Sequence, residues 1–450
     1  MSNLIYWILR ALTRVALAVY FSQIELVGEE DVPDGPIVIA ATHPNAFIDV
    51  ALVATRLRRR VHFVAKAGLF KNVFLRVFIR SLGALPVERR KDREGAALEA
   101  DAQAKNAKSL AACEEVVAAG GAVLIFPEGT SEQIPKLLPL KTGVARIALG
   151  AEARTPGVSV VPVSVVYDDP TSFRSRARVH FLPAIPVAPF KANPDEQTAV
   201  RALTGAVRDA LEPTVVHLED ETLAPIVEEV DKLYGHSVAQ AAGARLAAAP
   251  AIALAVNAFG KSAPDRIARV REKINAYKAA LATAGIDDEV VRPHHGRPTL
   301  GQDVALAAGL PVAAWGIVHH WIPYQIPRLV TAAFVRDVTF VSTIKLITGT
   351  LVFLGLYVGE WFAWDHFLGA LPALAIALTL PVSGVISLDV IEAWKARTRR
   401  RRRRTLRAST PPDTLRELER LRSEIVSELD RARAEFLLTR DGPQPEEGLA

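Results

Sequence analysis

A histidine and an aspartate stand close together at the end of an apolar run. In ATHPNAFIDV, five residues separate His43 from Asp49. Imidazole ionises near neutrality, so a histidine can take a proton from a hydroxyl. A neighbouring carboxylate fixes the ring tautomer and stabilises the imidazolium that forms. If the hydroxyl belongs to a bound acceptor, no serine or cysteine nucleophile is required. Six steps along a regular helix rotate by about 600°, so the two side chains would not share a helix face. A bend at Pro44 and Asn45 must bring them together. Taken alone, the pair reads first as a structural histidine beside a helix-capping aspartate.

Three further segments follow in order. RSLGALPVERR holds Gly83, Arg89 and Arg90. A fixed guanidinium after a short strand suits a phosphate, because its donors are forked; by itself the segment is a solvated basic edge. AVLIFPEGTS ends a buried strand at Phe126, and Pro127, Glu128, Gly129 and Thr130 then make a tight turn. Such a turn can aim backbone N–H groups at an anion, and Glu128 can hydrogen-bond a hydroxyl. Lys136 and Lys141 follow, where LKTGVARIALG opens a helix whose N-terminus also favours phosphate. VSVVPVSVVY carries Pro162 inside a β-rich run, which predicts an edge strand or a bulge. A plain core strand is the alternative.

The elements that must position these residues alternate. Strands are expected at PIVIAAT from Pro36, VHFVA from Val61, ALPV from Ala84, AVLIF from Ala122, VSVVPVSVVY from Val158 and ARVHFL from Ala177. Helical stretches such as 96–118 and 141–151 lie between them. Strands alternating with helices predict an α/β domain over 26–215 with a largely buried sheet. His43 and Asp49 then fall at a strand end, where sites in α/β sheets usually lie. Residues 216–300 read as a helical insertion or linker. Within it, the alanine-rich Ala241–Ala258 is either a packed helix or a shallow membrane element, and Asp265–Ala284 is an exposed helix of mixed charge.

The ends of the chain read as membrane-associated. Half of the 450 residues are apolar. Residues 1–25 hold an apolar stretch interrupted by Arg10 and Arg14, an interfacial amphipathic helix rather than a signal peptide. The segment Leu69–Arg80 suits a second helix on the membrane surface or a core helix with snorkelling charges. In the region 301–395, Leu346–Gly359 and Phe367–Leu388 lack charged residues and are extendable to bilayer length. They predict a transmembrane hairpin with GEWFAWDHF as its interfacial loop. Val304–Val318, with Pro311 and Pro323 near it, is expected to be re-entrant or interfacial. Region 396–450 begins with a basic block, Arg397, Arg399 to Arg404 and Arg407, and ends in a charged helix with Leu415, Leu418, Leu421 and Ile425. Arginines flanking a hairpin place both flanks and the α/β domain on the cytoplasmic side. There they meet membrane lipids with anionic headgroups. No recognition fold points to nucleic acid. The single cysteine, Cys113, forms no internal disulfide, and no cysteine cluster suggests a metal.

The four segments together resemble the four ordered motifs of the PlsC-like glycerolipid acyltransferase superfamily, over roughly residues 30–215. His43 and Asp49 match its histidine–aspartate motif, Gly83 and Arg89 its glycine-to-arginine motif, Phe126 through Gly129 its F-P-E-G motif, and Pro162 its apolar proline motif. The family usually has four residues between histidine and aspartate, and this chain has five. The longer step, and KLLPLKTG from Lys136 to Gly143, resemble the subgroup that acylates glycerol 3-phosphate or dihydroxyacetone phosphate. The resemblance implies His43 as general base with Asp49 orienting it. Gly83, Arg89, Phe126, Pro127, Glu128, Gly129 and Lys141 would bind the phosphorylated acceptor, and Pro162 would border the acyl chain. It implies acyl-CoA or acyl-carrier protein as donor, with no metal or other cofactor. A lysophospholipid acceptor, above all 1-acyl-glycerol 3-phosphate, is the alternative within the enzyme class. A non-catalytic lipid-binding membrane protein is the alternative outside it.

Overall fold

The computed structural model describes residues 2–71, 73–87, 96–242, 245–292 and 299–440. Two compact units divide the chain: Met1–His217 with Pro327–Thr350, and Leu218–Ile326 with Leu351–Ala450.

The first unit is built on a mixed sheet. Its elements are α1 (Ser2–Tyr20), β1 (Gln23–Val27), β2 (Ile37–Ala41), α2 (Ala46–Ala54), β3 (Val61–Lys66), α3 (Val73–Ser81), β4 (Ala84–Val87), α4 (Ala96–Ala118), β5 (Ala122–Ile125), α5 (Gly143–Arg154), β6 (Ser159–Tyr167), β7 (Arg176–Phe181), β8 (Ile185–Pro186), α6 (Ala188–Lys191) and α7 (Glu196–Leu211). The strand order is β1-β7-β6-β2-β5-β3-β4, with β8 pairing β6. Strands β6, β2, β5, β3 and β4 run parallel, while β7 and β8 are antiparallel to β6. All six expected strands are present. The two short strands β1 and β8 were not foreseen, because five and two residues of mixed polarity carry too little pattern.

Central strand β2 is apolar without alternation because both its faces are covered. Ile37, Ile39 and Ala41 face a core shared with α1, α2 and Leu346. Val38 and Ala40 face the opposite core, shared with α4, α5 and α7. The result is a three-layer α/β sandwich. Pro162 lies inside this sheet on a core strand, the alternative to an edge strand or bulge. It falls where β6 changes partner, after pairing β8 at Ser159 and Val160 and before pairing β7 from Val163. A missing N–H costs little at that break, and the Pro162 carbonyl still accepts Leu182 N–H at 2.9 Å.

Helix α1 docks one face on this unit through Tyr6, Leu17 and Tyr20, while Leu4, Ile8 and Val15 stay exposed. Arg10 donates to the carbonyls of Thr55 and Leu57, so it ties α1 to the end of α2.

The second unit is helical. It contains α8 (Ala224–Ala242), α9 (Ala248–Ser262), α10 (Pro264–Ala284) and α11 (Asp288–Val291). The alanine-rich stretch is a packed element: α9 lies against α8 and α10. Helix α10 starts on Pro264 and stops at Gly285, whose φ of 65° is the left-handed stop expected there.

Three helices are long and apolar enough to cross a membrane: α12 (Leu300–Phe334), α13 (Val341–Leu368) and α14 (Ala370–Ser409). Two expectations change here. The run Val304–Val318 is not a separate segment, because α12 continues through Pro311, Pro323 and Pro327; apolar helices tolerate such prolines. GEWFAWDHF is not a loop but the last turns of α13, and the break comes at Gly369, with a φ of 83°. One of its two carboxylates, Glu360, is satisfied in place, with His319 Nδ1 at 2.8 Å and Trp364 Nε1 at 3.0 Å. The arginine block continues α14 without interruption. Helix α15 (Pro412–Arg440) follows and buries Leu418, Ile425 and Leu429.

Candidate active site

Strand β2 hands the chain to the site through Thr42. Thr42 N–H donates to Val163 O at 3.0 Å, and Thr42 Oγ1 accepts Val165 N–H at 2.9 Å. His43 therefore leaves the sheet from a fixed point. The extra residue of the His–Asp step is absorbed three residues further on. Ala46 has a φ of 41°, a left-handed value rare outside glycine, and α2 starts on it. The sequence reading put this bend at Pro44 and Asn45; the positive φ lies at Ala46.

That bend closes the pair. His43 Nδ1 lies 3.0 Å from Asp49 Oδ2. The same oxygen accepts Asn45 N–H at 2.6 Å, and Oδ1 accepts the Tyr167 hydroxyl at 2.5 Å. Asp49 is fully buried, so each of these donors replaces a lost water. With Asp49 accepting from every side, Nδ1 of His43 is the donor and Nε2 keeps its lone pair. Nε2 has no protein partner among the described residues, and no serine or cysteine side chain bonds the ring there. His43 itself is only 8% exposed.

The F-P-E-G segment is the wall behind the imidazole. Phe126 O accepts Gly129 N–H at 3.0 Å, closing a turn with Pro127 at its first corner. The Phe126 ring stacks on His43 at 3.8 Å between centroids and 15° between planes. Glu128 Oε1 accepts His43 N–H at 3.0 Å, and Oε2 accepts Leu138 N–H at 3.4 Å. Burial pushes the Glu128 carboxyl above the ordinary range, against those two hydrogen bonds, which pull it down. Pro127 O takes Lys141 N–H at 2.8 Å. Gly129 has a φ of 71°, and a methyl there would fall on the Lys141 ammonium. Phe126, Pro127, Glu128, Gly129 and Lys141 thus gather beside His43. Phe126 and Glu128 bear on His43 itself.

Gly83 is not brought to this site. Its φ of 93° serves the turn ahead of β4, where a Cβ would meet Val61 O at 3.0 Å. Val61 opens β3, so Gly83 sits at the amino-terminal end of the parallel strands, whereas His43 follows the carboxyl end of β2. Arg89, two positions beyond the end of β4, lies outside the described residues. Pro162 is buried within the sheet.

Two contributors were missed. Tyr167 closes β6 and holds Asp49; its hydroxyl is buried, and burial together with Asp49 keeps it protonated far above the usual tyrosine range. Asn45 Nδ2 donates to Pro170 O at 2.7 Å. The polar end of an otherwise apolar strand was the available signal for Tyr167. Among the described residues, no group of three histidine, cysteine, aspartate or glutamate side chains could hold a metal ion. Cys113 is buried in the second core, where its thiol is pushed up to about 12 by burial, so it offers no thiolate.

A family model described as Acyltransferase matches residues 23–166, the stretch that holds His43, Asp49, the F-P-E-G segment and Pro162. An uncharacterized acyltransferase of Schizosaccharomyces pombe is 25% identical over 373 residues, covering 64% of this chain and 54% of its own length. Glycerol-3-phosphate O-acyltransferase 1 of Saccharomyces cerevisiae is 35% identical over 127 residues, 27% of this chain and 17% of that protein. The 1-acyl-sn-glycerol-3-phosphate acyltransferase of Bacillus subtilis is 31% identical over 129 residues, 28% of this chain and 56% of that protein. The chain spans at most about half the length of these curated relatives. The stretch 23–166 is thus similar to an acyltransferase domain, and the relatives it matches carry the names of both acceptor classes.

Proposed function

We propose that this chain is a membrane-bound glycerolipid O-acyltransferase that acylates the first hydroxyl of glycerol 3-phosphate, or the hydroxyl of dihydroxyacetone phosphate. The donor is the thioester of acyl-CoA or acyl-carrier protein. One observation carries the reading: in an acyltransferase domain, His43 is held through Nδ1 by buried Asp49, and Nε2 is left to a substrate.

The reaction follows from that ring. The acceptor hydroxyl gives its proton to Nε2 of His43 as its oxygen attacks the thioester carbonyl. Asp49 stabilises the imidazolium, and Tyr167 and Asn45 hold Asp49 in place. The tetrahedral intermediate collapses, the C–S bond breaks, and the leaving thiolate takes the proton from His43. The products are an ester and a free thiol, and the step as written uses no metal. Arg89 and Lys141 are the cations assigned to the acceptor phosphate.

The six-position His–Asp step and the relatedness to the yeast glycerol-3-phosphate enzyme favour the first acceptor class. The Bacillus relative supports 1-acyl-glycerol 3-phosphate as the second reading. A purely lipid-binding role would not require the buried dyad. With α13 and α14 read as the spanning hairpin, we place the acyltransferase domain on the cytoplasmic side, with the exposed Arg399 to Arg402 and Arg404 on anionic headgroups.

The test is a matrix of purified protein in bilayer discs with two donors, acyl-CoA and acyl-carrier protein, and three acceptors. Product from glycerol 3-phosphate or dihydroxyacetone phosphate is the expected result. Product from 1-acyl-glycerol 3-phosphate alone would establish the second reading. No product from any pair would overturn the assignment.

A further inference from the structure

The dyad is tied to a part of the chain that none of the four motifs contains. Tyr167, which donates to Asp49, is followed by a tight turn over Asp168–Ser172. Asp169 fixes that turn by accepting Thr171 N–H at 2.8 Å, Thr171 Oγ1 at 2.7 Å and Ser172 Oγ at 2.5 Å. The turn presents two carbonyls. Pro170 O accepts Asn45 Nδ2 on the dyad side. On its other side Pro170 O accepts Ser342 Oγ, from the first turn of α13. Thr171 O accepts Lys345 Nζ, one turn later in α13, at 2.9 Å.

Ser342 is itself held. It is fully buried, and its oxygen accepts the Tyr20 hydroxyl of α1 at 2.8 Å. Each hydroxyl in the row donates once: Tyr20 to Ser342, and Ser342 to Pro170. The apolar side of α13 is anchored as well, since Leu346 belongs to the core under α1 and α2. The turn Val338–Phe340, just before α13, packs on α2, the helix that carries Asp49. All of these residues belong to the first unit.

A carbonyl has two lone pairs, and both of those on Pro170 are used. One faces the dyad and the other faces an apolar helix more than 170 positions away in sequence. We propose that Ser342 is a positioning residue for the His43–Asp49 dyad: seating of the first turn of α13 fixes the Asp168–Ser172 turn, and through Asn45 and Tyr167 that turn fixes Asp49. Substrate never touches Ser342. The proposal rests on the acyl-transfer reading for its kinetic consequence, though not for its structural one.

Two readouts separate these. Hydrogen exchange on the full-length protein in bilayer discs tests the connection without any substrate. Ser342→Ala should speed exchange in the Asp168–Ser175 segment and at the Asn45 amide, which donates to Asp49. Unchanged exchange at both places would overturn the connection. Kinetics test its consequence. Ser342→Ala should lower kcat by roughly tenfold with both KM values little changed, as expected when a base is misplaced. Ser342→Thr, which keeps the hydroxyl, should recover most of that loss. Placed on a His43→Ala background, Ser342→Ala should cost nothing further, because residues acting through one group are not additive. A lower melting temperature with unchanged kcat would make Ser342 a structural residue and overturn the proposal. An additional tenfold loss on the His43→Ala background would do the same. If the unaltered protein transfers no acyl group at all, the acyl-transfer reading falls, and the exchange experiment still decides the connection.

Discussion

Asp49 stands between two rings: Oδ2 lies 3.0 Å from Nδ1 of His43, and Oδ1 accepts the Tyr167 hydroxyl at 2.5 Å. The tyrosine comes from the end of β6, 118 positions beyond the aspartate. Hydrogen bonds to charged groups are worth about 1.5–3 kcal/mol. Tyr167→Phe keeps the ring that stacks on Phe21 and removes only that donor. Its kcat/KM should fall by roughly tenfold with the protein folded. Steady-state kinetics beside a melting curve check this, and unchanged kcat/KM would show that Tyr167 does not hold the dyad.

Glu128 is predicted to serve position, because its two oxygens accept the backbone N–H groups of His43 and Leu138 and so tie the imidazole strand end to the turn beyond it. Its carboxyl is raised by burial, so the folded state binds that proton more tightly than the unfolded chain does. Stability from this group is therefore greatest below the ordinary carboxylate value, about 4.3, and declines as pH rises through the raised one. Glu128→Gln has no such titration and should show a flatter decline in melting temperature over that window. Melting curves from pH 4 to 7 test it; parallel slopes for both proteins would contradict the assignment.

Gly129→Ala should act on one substrate. The left-handed backbone disfavours any side chain, and the added methyl displaces the Lys141 ammonium. Strain at such a position costs about 1–3 kcal/mol. The acceptor KM should rise severalfold while the donor KM stays put. An unchanged acceptor KM would remove Lys141 from the phosphate site.

The single cysteine makes topology accessible to labelling. In a Cys113→Ala background, cysteines placed one at a time at Asp365 and Ser409 flank the apolar part of α14. A membrane-impermeant reagent should reach them from opposite sides. A third probe at Thr299, ahead of α12, distinguishes three crossings from a hairpin. Three crossings put Thr299 and Ser409 on opposite sides, and a hairpin puts them on the same side. Finding Asp365 and Ser409 on one side would show that α14 does not cross.

The sequence was most informative where chemistry is local. His43, Asp49 and the F-P-E-G segment each follow a recognisable apolar strand, and because β2 and β5 are parallel neighbours their carboxyl ends meet. What the sequence hid was reached across long separations. Tyr167 looks like the ordinary end of a strand, and Ser342 like a polar residue at the start of an apolar helix. Only folding sets them near Asp49 and Pro170. Gly83 differs in kind: its left-handed backbone serves the turn into β4, a role its motif position did not reveal. Prolines left ambiguity: Pro162 sits at a change of strand partner inside the sheet, and α12 runs through three prolines that would break an exposed helix.

The central claim is that Nε2 of His43 takes the acceptor proton. His43→Ala, purified in bilayer discs and assayed with glycerol 3-phosphate and acyl-CoA, tests it most directly. General-base contributions are typically about 10²–10⁴-fold. The account predicts a fall in kcat of that order, with the protein still folded and membrane-bound by its melting curve and flotation. Near-normal turnover from a folded His43→Ala protein would contradict it.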